Sequence, residues 1–291
     1  MKYRALGTNT RLVSSVGYGG MHLSIVDRPD EATAIDTIHA SLNHGVTLID
    51  TADVYCLDHT EIGHNERLLA KALSGWSGDR DSIIVATKAG LVRPEGRWDY
   101  DGSPEHVRSA CDASLKALNV GHIDLYQFHA PDPNVPFSES VGVFRELQDA
   151  GKVRWLGLSN VSVAQIEEAA AVADIKTVQN RLSPFFREAI LDGVVEYCDK
   201  NGIAFLAYSP VGGGRLNKKL PGHPVLGPIA YAHGTTPHAI VLAWVLAQSP
   251  SVIIIPAARS SENAINSSTV TDVELTPDEM TAIDEAEFSI R

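Results

Sequence analysis

Four residues in this chain have side chains that can hold or move a proton and positions that can bring them together: Asp50, Tyr55, Lys88 and His129. Asp50 closes the apolar run Thr47-Leu48-Ile49-Asp50, and Tyr55 follows five residues later in Asp50-Thr51-Ala52-Asp53-Val54-Tyr55. Lys88 closes Ser82-Ile83-Ile84-Val85-Ala86-Thr87-Lys88, and His129 closes His122-Ile123-Asp124-Leu125-Tyr126-Gln127-Phe128-His129. One such polar ending would be an accident, whereas three predict a shared pocket, and a carboxylate, a phenol, an ammonium and an imidazole together read as a proton-donating site. Each residue also has an ordinary explanation alone: tyrosine packing, a satisfied histidine, an aspartate capping a turn. The reading rests on their joint order.

The elements that must position these side chains repeat along the chain. Apolar runs of strand length recur at Val16 to Gly19, Thr47 to Asp50, Ile83 to Lys88, Ile123 to His129, Arg154 to Ser159, Thr177 to Asn180, Ile203 to Tyr208 and Val252 to Ile255. Helical patterns lie between them: Glu31 to Asn43, Asn65 to Leu73, Pro104 to Leu118, Phe137 to Ala150, Ala164 to Ala173 and Pro237 to Ala247. Ser103-Pro104 and Thr236-Pro237 each pair an N-cap with proline at the first helical position, and Thr276-Pro277-Asp278-Glu279 opens a last helix to about Glu287. Gly45, Gly151 and Gly202 fall just after helical runs, where a left-handed residue turns the chain towards the next strand.

Eight strand–helix units with no linker or composition shift predict one closed (β/α)8 TIM barrel over residues 1–291. Alternation in Tyr3 to Leu6 and Leu12 to Ser14, around Gly7-Thr8-Asn9, predicts an N-terminal β-hairpin closing the barrel bottom. Chemistry in such barrels sits at the carboxyl ends of the strands. Those ends are rich in functional groups here: Asp50, Lys88, His129, Ser159, Asn160, Gln179, Asn180, Tyr208 and Ser209.

Composition narrows the function. With 24 basic against 36 acidic residues the chain has a formal charge of −12, which disfavours a phosphate-backbone partner, so no nucleic-acid role is expected. Cys56, Cys111 and Cys198 are odd in number and form no paired metal motif. No signal peptide or membrane span is recognised, so a soluble cytoplasmic protein is expected.

The motifs together resemble the aldo-keto reductase family. The resemblance runs through Gly17-Tyr18-Gly19-Gly20-Met21, the Asp50 to Tyr55 run, Glu61-Ile62-Gly63-His64-Asn65-Glu66, Ala86-Thr87-Lys88, Gly151 to Asn160, Gln179-Asn180 and Tyr208-Ser209-Pro210, covering essentially the whole chain. It implies a catalytic tetrad of Asp50, Tyr55, Lys88 and His129 and a nicotinamide dinucleotide cofactor. The chemistry agrees with those roles. Hydride addition to a carbonyl leaves an alkoxide that needs a proton donor. A free tyrosine, with a pKa near ~10, needs tuning to serve. Lys88 is expected to depress the Tyr55 pKa, Asp50 to hold Lys88, and His129 to hydrogen-bond the carbonyl oxygen.

The chain has no Gly-x-Gly-x-x-Gly joining a first strand to a helix, so a Rossmann site is not indicated. The resemblance instead implies a cofactor lying across the barrel mouth. Gly20 and Met21 would line it, Ser159, Asn160 and Gln179 would bind the carboxamide, and Tyr208 would stack on the nicotinamide. Ser209-Pro210-Val211-Gly212-Gly213-Gly214-Arg215 reads as a pyrophosphate cradle or a flexible turn. Ala257, Arg259, Ser260 and Asn263 match the adenosine-phosphate segment, although many relatives carry lysine or glycine in place of Ala257. Arg259 and Ser260 suit a 2'-phosphate, so NADPH is expected, with NADH as the alternative.

His22, Cys56, Trp98 and Tyr100 are expected around the substrate. The two aromatic residues would line the pocket or anchor a loop, Leu91 to Gly102, to the rim. Cys56 stands where relatives commonly have glycine and would face substrate or fill space. The chain ends at Arg291 without a long extension, implying an open mouth for small aldehydes, ketones or sugars. Three alternatives remain. The same site would run in reverse as an alcohol or sugar dehydrogenase; a non-catalytic nicotinamide-nucleotide-sensing subunit would share its binding residues; and His59, Glu61 and His64 would serve a metal-dependent barrel hydrolase. No metal is expected on the leading reading, and oligomeric state is left open.

Overall fold

All eight apolar runs form parallel strands in the computed structural model, which describes residues 1–290. An amino-terminal hairpin supplies β1 (Tyr3–Ala5) and β2 (Leu12–Ser14). Then follow β3 (Tyr18–Gly19), β4 (Leu48–Asp50), β5 (Ile84–Ala89), β6 (Leu91–Val92), β7 (Asp99–Tyr100), β8 (Ile123–Phe128), β9 (Val153–Ser159), β10 (Ile175–Arg181), β11 (Ala204–Tyr208) and β12 (Val252–Ile254). Leaving aside the hairpin and the ribbon β6–β7, the remaining strands neighbour one another in chain order. The sheet closes where Val16 bridges Ile254 in parallel and the Gly17 N–H donates to the Ile254 carbonyl at 2.8 Å. The result is the expected (β/α)8 barrel.

The helices in order are α1 (Glu31–Asn43), α2 (His64–Gly75), α3 (Pro104–Leu118), α4 (Phe137–Asp149), α5 (Val163–Ala170), α6 (Glu188–Leu191), α7 (Val194–Lys200), α8 (Gly213–Leu216), α9 (Leu226–Ala232), α10 (Pro237–Ala247), α11 (Ser261–Ser268) and α12 (Pro277–Glu285). Ser103 and Thr236 accept from the backbone N–H three residues on, and Thr276 and Glu279 complete a reciprocal capping box. Gly45, Gly151 and Gly202 adopt positive φ of 87°, 74° and 63°. The last helix stops at Glu285, short of the expected Glu287. The short helices α6 to α9 and the polar α11 had no sustained apolar period to announce them, and Gly193, at φ 76°, separates α6 from α7.

Two apolar layers follow from strand parity. Alternate residues such as Val85, Tyr126, Leu156 and Val178 face the helices, while Leu48, Ile84, Ala86, Leu125, Trp155, Leu206 and Ile253 fill the barrel. Leu6 and Val13 of the hairpin are fully buried in that inner cluster, so they plug its floor. Arg4 fastens the plug, donating to the carbonyls of Ser249 (2.8 Å), Leu246 (2.9 Å) and Val252.

The same parity decides what the upper end of the barrel contains. Lys88 follows Ile84 and Ala86 inward, Asp50 follows Leu48, Gln127 and His129 follow Leu125, and Tyr208 follows Leu206. Room for these side chains depends on Gly157. A Cβ there would stand 2.2 Å from Thr177 Oγ1 and 2.9 Å from Gln127 Cγ. Gly157→Ala is therefore expected to lower stability by about 1–3 kcal/mol through overpacking. Urea unfolding measures this, and a change within ~0.5 kcal/mol would contradict it.

Candidate active site

The strand endings converge on one fully buried ammonium. Lys88 Nζ donates to Asp50 Oδ1 at 2.5 Å, to the Thr51 carbonyl at 2.9 Å and to the Tyr55 hydroxyl at 3.0 Å. Its three N–H bonds thus have three acceptors. The second carboxylate oxygen of Asp50 accepts from Gln179 Nε2 at 2.8 Å and Gln127 Nε2 at 3.1 Å. Register explains the meeting, because Asp50 pairs with Ala86, Lys88 with Gln127, and Gln179 with both Ser159 and Leu206 across adjacent strands.

His129 joins through its ring, edge-on to Tyr55 with centroids 5.8 Å apart. Trp98 stands edge-on to both, at 6.4 Å from each. Two aromatic rings therefore border the phenol. Tyr55 packs on Ala52 and Val54, with Met21, Ile62 and Leu91 around them.

Burial sets the protonation of these groups. Desolvation would push Lys88 down, but Asp50 and Tyr55 reverse the effect and hold it above its ordinary value, so it is an ammonium. The expectation for Tyr55 needs correction. Burial raises the phenol to about 12, and the neighbouring Lys88 opposes that rise without overcoming it. His129 is held well below its ordinary value by burial first and Lys88 second, so its imidazole is neutral. Its Nδ1 is buried with no hydrogen-bond partner in the protein.

The residues expected at the mouth occupy it in different ways. Asn160, at φ 59°, donates to the His129 carbonyl at 3.0 Å and to Ser159 Oγ at 3.1 Å, and accepts from the Tyr208 hydroxyl at 2.8 Å. Gln179 uses its amide hydrogens on Asp50 and Gln127, which leaves its carbonyl oxygen free to accept. Ser209, Gly212 and Gly213 have positive φ of 50°, 86° and 78°, with Pro210 and Val211 in the turn between. Arg215 turns from that loop to the Ile290 carbonyl at 2.5 Å. Ala257 is exposed, and Ser260 caps α11 by accepting from the Asn263 N–H.

His22 lies beside Arg259, whose Nη2 approaches His22 Nδ1 and the Val26 carbonyl at 3.2 Å each. That ties it to the segment that follows β12. Cys56 is buried, and its thiol donates to the carbonyls of Val54 at 3.3 Å and Asp58 at 3.1 Å. Burial pushes it up to about 11. This is the space-filling arrangement of the two considered. Tyr100 lies half-exposed in the β6–β7 ribbon opposite Leu91, with no ring contact to Tyr55 or His129 among the described residues. Two-residue strands of this kind have no sequence period to announce them.

Sequence reasoning missed Gln127 and Asn65. Gln127 shares the inward parity of His129, which was signal enough to find it. Asn65 donates to the Gly20 carbonyl at 2.9 Å and accepts from Thr51 Oγ1 at 2.6 Å, joining the ends of the adjacent strands β3 and β4. For the metal alternative, Glu61 is engaged by Arg28 at 2.8 and 3.1 Å and His64 by Ser24 at 2.8 Å. Among the described residues no group of three or more His, Cys, Asp or Glu is arranged to hold a metal ion.

The family model for the aldo/keto reductase family matches residues 15–287. The chain belongs to that family. This aldo/keto reductase is 36% identical over 287 residues to probable aldo-keto reductase 1 of Glycine max, the match covering 89% of this chain and 81% of that protein. It is similar in structure to the glycerol dehydrogenase of Gluconobacter oxydans (TM-score 0.84, 29% identity, 97% and 94% of the two chains). It is similar also to an aldo-keto reductase from Bacillus halodurans in its holo form (TM-score 0.81, 27% identity, 100% and 98%). The protein is an oxidoreductase of carbonyl and alcohol groups that works with a nicotinamide cofactor. No helix among the described residues is long and apolar enough to cross a membrane.

The buried pair yields a stability test. Asp50→Ala would strand the Lys88 ammonium and should cost about 3–5 kcal/mol. The double variant Asp50→Ala/Lys88→Met should recover a substantial part. Equal losses in the single and double variants, read by denaturant unfolding, would show that the ion pair is not what holds this end of the barrel.

Proposed function

We propose that the protein is an NADPH-dependent reductase of small aldehydes, ketones or sugar carbonyls, acting as one domain, with Tyr55 as proton donor. The observation that carries this is the buried network in which Lys88 donates to both Asp50 and Tyr55, at 2.5 and 3.0 Å. A phenol at about 12 keeps its proton at neutral pH, as an acid must. It releases that proton as charge develops on the carbonyl oxygen, and the adjacent ammonium stabilises the phenolate left behind. Asp50, itself held by two amides, keeps the ammonium aimed. His129, being neutral, serves as a hydrogen-bonding imidazole that orients the carbonyl oxygen. Trp98 and His129 wall the space beside the phenol and limit water there.

The residues present fit a nicotinamide dinucleotide. Ser159, Asn160 and the spare carbonyl oxygen of Gln179 suit a carboxamide, and Tyr208, tethered through its hydroxyl, offers a ring face. No atom lies within 4 Å of a Cβ placed on Gly214, and only Ser209 Oγ, at 3.9 Å, does so for Gly213. Backbone amides there suit pyrophosphate. Arg259 and the amino end of α11, with Ser260 and Asn263, suit a 2'-phosphate. When bound, the cofactor supplies the hydride. The reverse reaction uses the same residues, and the likeness to a glycerol dehydrogenase gives alcohol oxidation specific support.

A panel of carbonyls and alcohols followed at the nicotinamide absorbance, with both cofactors and in both directions, tests the reading. Tyr55→Phe should lower turnover by about 10²–10⁴ with cofactor affinity retained, and undiminished turnover would sink the mechanism. Arg259→Ala should weaken NADPH binding at least ~10-fold, through loss of a charged phosphate contact, while leaving NADH almost unchanged. A fluorescence titration in which both cofactors respond alike would reject the 2'-phosphate assignment.

A further inference from the structure

Outside the barrel mouth, between the β6–β7 ribbon and the loop from β4 to α2, lies a second cavity of about 410 Å³. Its apolar wall includes Val54, Ile62, Leu91 and Pro94. Arg93, Asp53 and His106 supply polar groups, the first two almost wholly buried. Neither Tyr55 nor His129 lines it, although Val54, Ile62 and Leu91 are shared with the packing around Tyr55.

Arg93 is the unusual member. Only 6% of it is exposed, and its Nη2 donates to the Leu57 carbonyl at 2.9 Å. Its Nε and Nη1 are buried and have no hydrogen-bond partner in the protein, and His106 Nε2 is in the same condition. A guanidinium that keeps its charge while two of its nitrogens go unpaired is costly, because buried polar groups lose water without compensation. An anion offers the pairing it lacks.

The acidic groups nearby do not supply that anion. Glu95 is exposed and faces Arg97 at 3.6 Å. Asp58 lies within electrostatic range of Arg93, but its side chain accepts from the Thr60 N–H and hydroxyl and makes no hydrogen bond to the guanidinium. Asp101 lies on the other side of the His106 ring, 3.7 Å from Nδ1. Asp53 lines the cavity, but it is buried, and desolvation holds its carboxyl well above the usual carboxylate range, favouring the protonated form.

We infer that this cavity binds a small organic carboxylate with an apolar body. The carboxylate pairs with the guanidinium of Arg93, and the body lies against Val54, Ile62 and Leu91. A carboxylate oxygen can accept from the unpaired Nε–H of the guanidinium, and apolar walls favour an organic ion over a bare one. The occupied cavity would be felt at the mouth. The Arg93 guanidinium lies 4.1 Å from the Trp98 ring centroid, and Trp98 borders both Tyr55 and His129. An anion that draws on Arg93 therefore alters the stacking that holds Trp98.

Calorimetric titration of the full chain with phenylacetate tests the inference without reference to turnover. Saturable binding is expected, at least ~10-fold weaker in Arg93→Met and abolished in Val92→Trp, which fills the cavity. It should persist in Tyr55→Phe. Benzyl alcohol, lacking the charge, and inorganic phosphate, lacking the apolar body, should each bind at least ~10-fold more weakly than phenylacetate. Phenylacetate should also change tryptophan emission, and that change should vanish in Trp98→Phe. If Arg93→Met fails to fold, Arg93→Lys, which keeps the charge without the fork, and Val92→Trp carry the test. The inference is overturned by an absence of saturable binding up to about 10 mM, by binding that is indifferent to both cavity variants, or by binding lost in Tyr55→Phe. The last result would put the carboxylate at the barrel mouth. Phosphate binding as tightly as phenylacetate would also overturn it, by showing a bare-anion site.

Discussion

A lysine ammonium with no solvent exposure, deep in the upper end of a barrel, constrains everything around it. In so apolar a setting the charge persists only with compensation on every side. Asp50 supplies the opposing charge, and the Thr51 carbonyl and the Tyr55 hydroxyl take the remaining hydrogens. Asp50 is in turn held by Gln127 and Gln179 from two further strands. Four polar side chains and one backbone carbonyl are thus fixed by the needs of one ammonium. Electrostatic preorganisation and structural satisfaction are here the same set of hydrogen bonds.

The barrel makes that set possible by register. Parallel strands bring their carboxyl ends to one level, and the two-residue repeat decides which ends look inward. Asp50, Lys88, Gln127, His129, Ser159 and Gln179 stand around one opening because each lies an even number of residues beyond an inward-facing position. Gly157 is the necessary blank in this arrangement, since any side chain there would take the room used by Gln127 and Thr177. The position with no functional group is as much a part of the site as those with one.

Much of this was legible in the sequence because several signals agreed. The strand runs, the caps at Ser103, Thr236 and Thr276, and the left-handed glycines at 45, 151 and 202 all have local physical causes. Other features depend on three-dimensional neighbours and left no local trace. The sequence names Lys88 beside Tyr55, but only the burial of both reveals that desolvation outweighs the ammonium at the phenol. Cys56 looked open to either role until its thiol was seen bonded to two carbonyls of its own loop. His22 sits four residues upstream of Val26, and nothing local announces that Arg259, at the far end of the chain, reaches back to both. Ser- and Asn-rich α11 carries no apolar stripe and exists through its cap and packing, which sequence periodicity does not register.

The hairpin floor bears on how protons reach Lys88 and Tyr55. Leu6 and Val13 stop the lower end with hydrocarbon, and Arg4 ties that stopper to three carbonyls around the last strand. Between floor and ammonium lie Leu48, Ile84, Leu125 and Leu206, which offer no relay of polar groups. On the proposed chemistry, a hydrogen given up by Tyr55 would be replaced through the same opening that admits the other reactants.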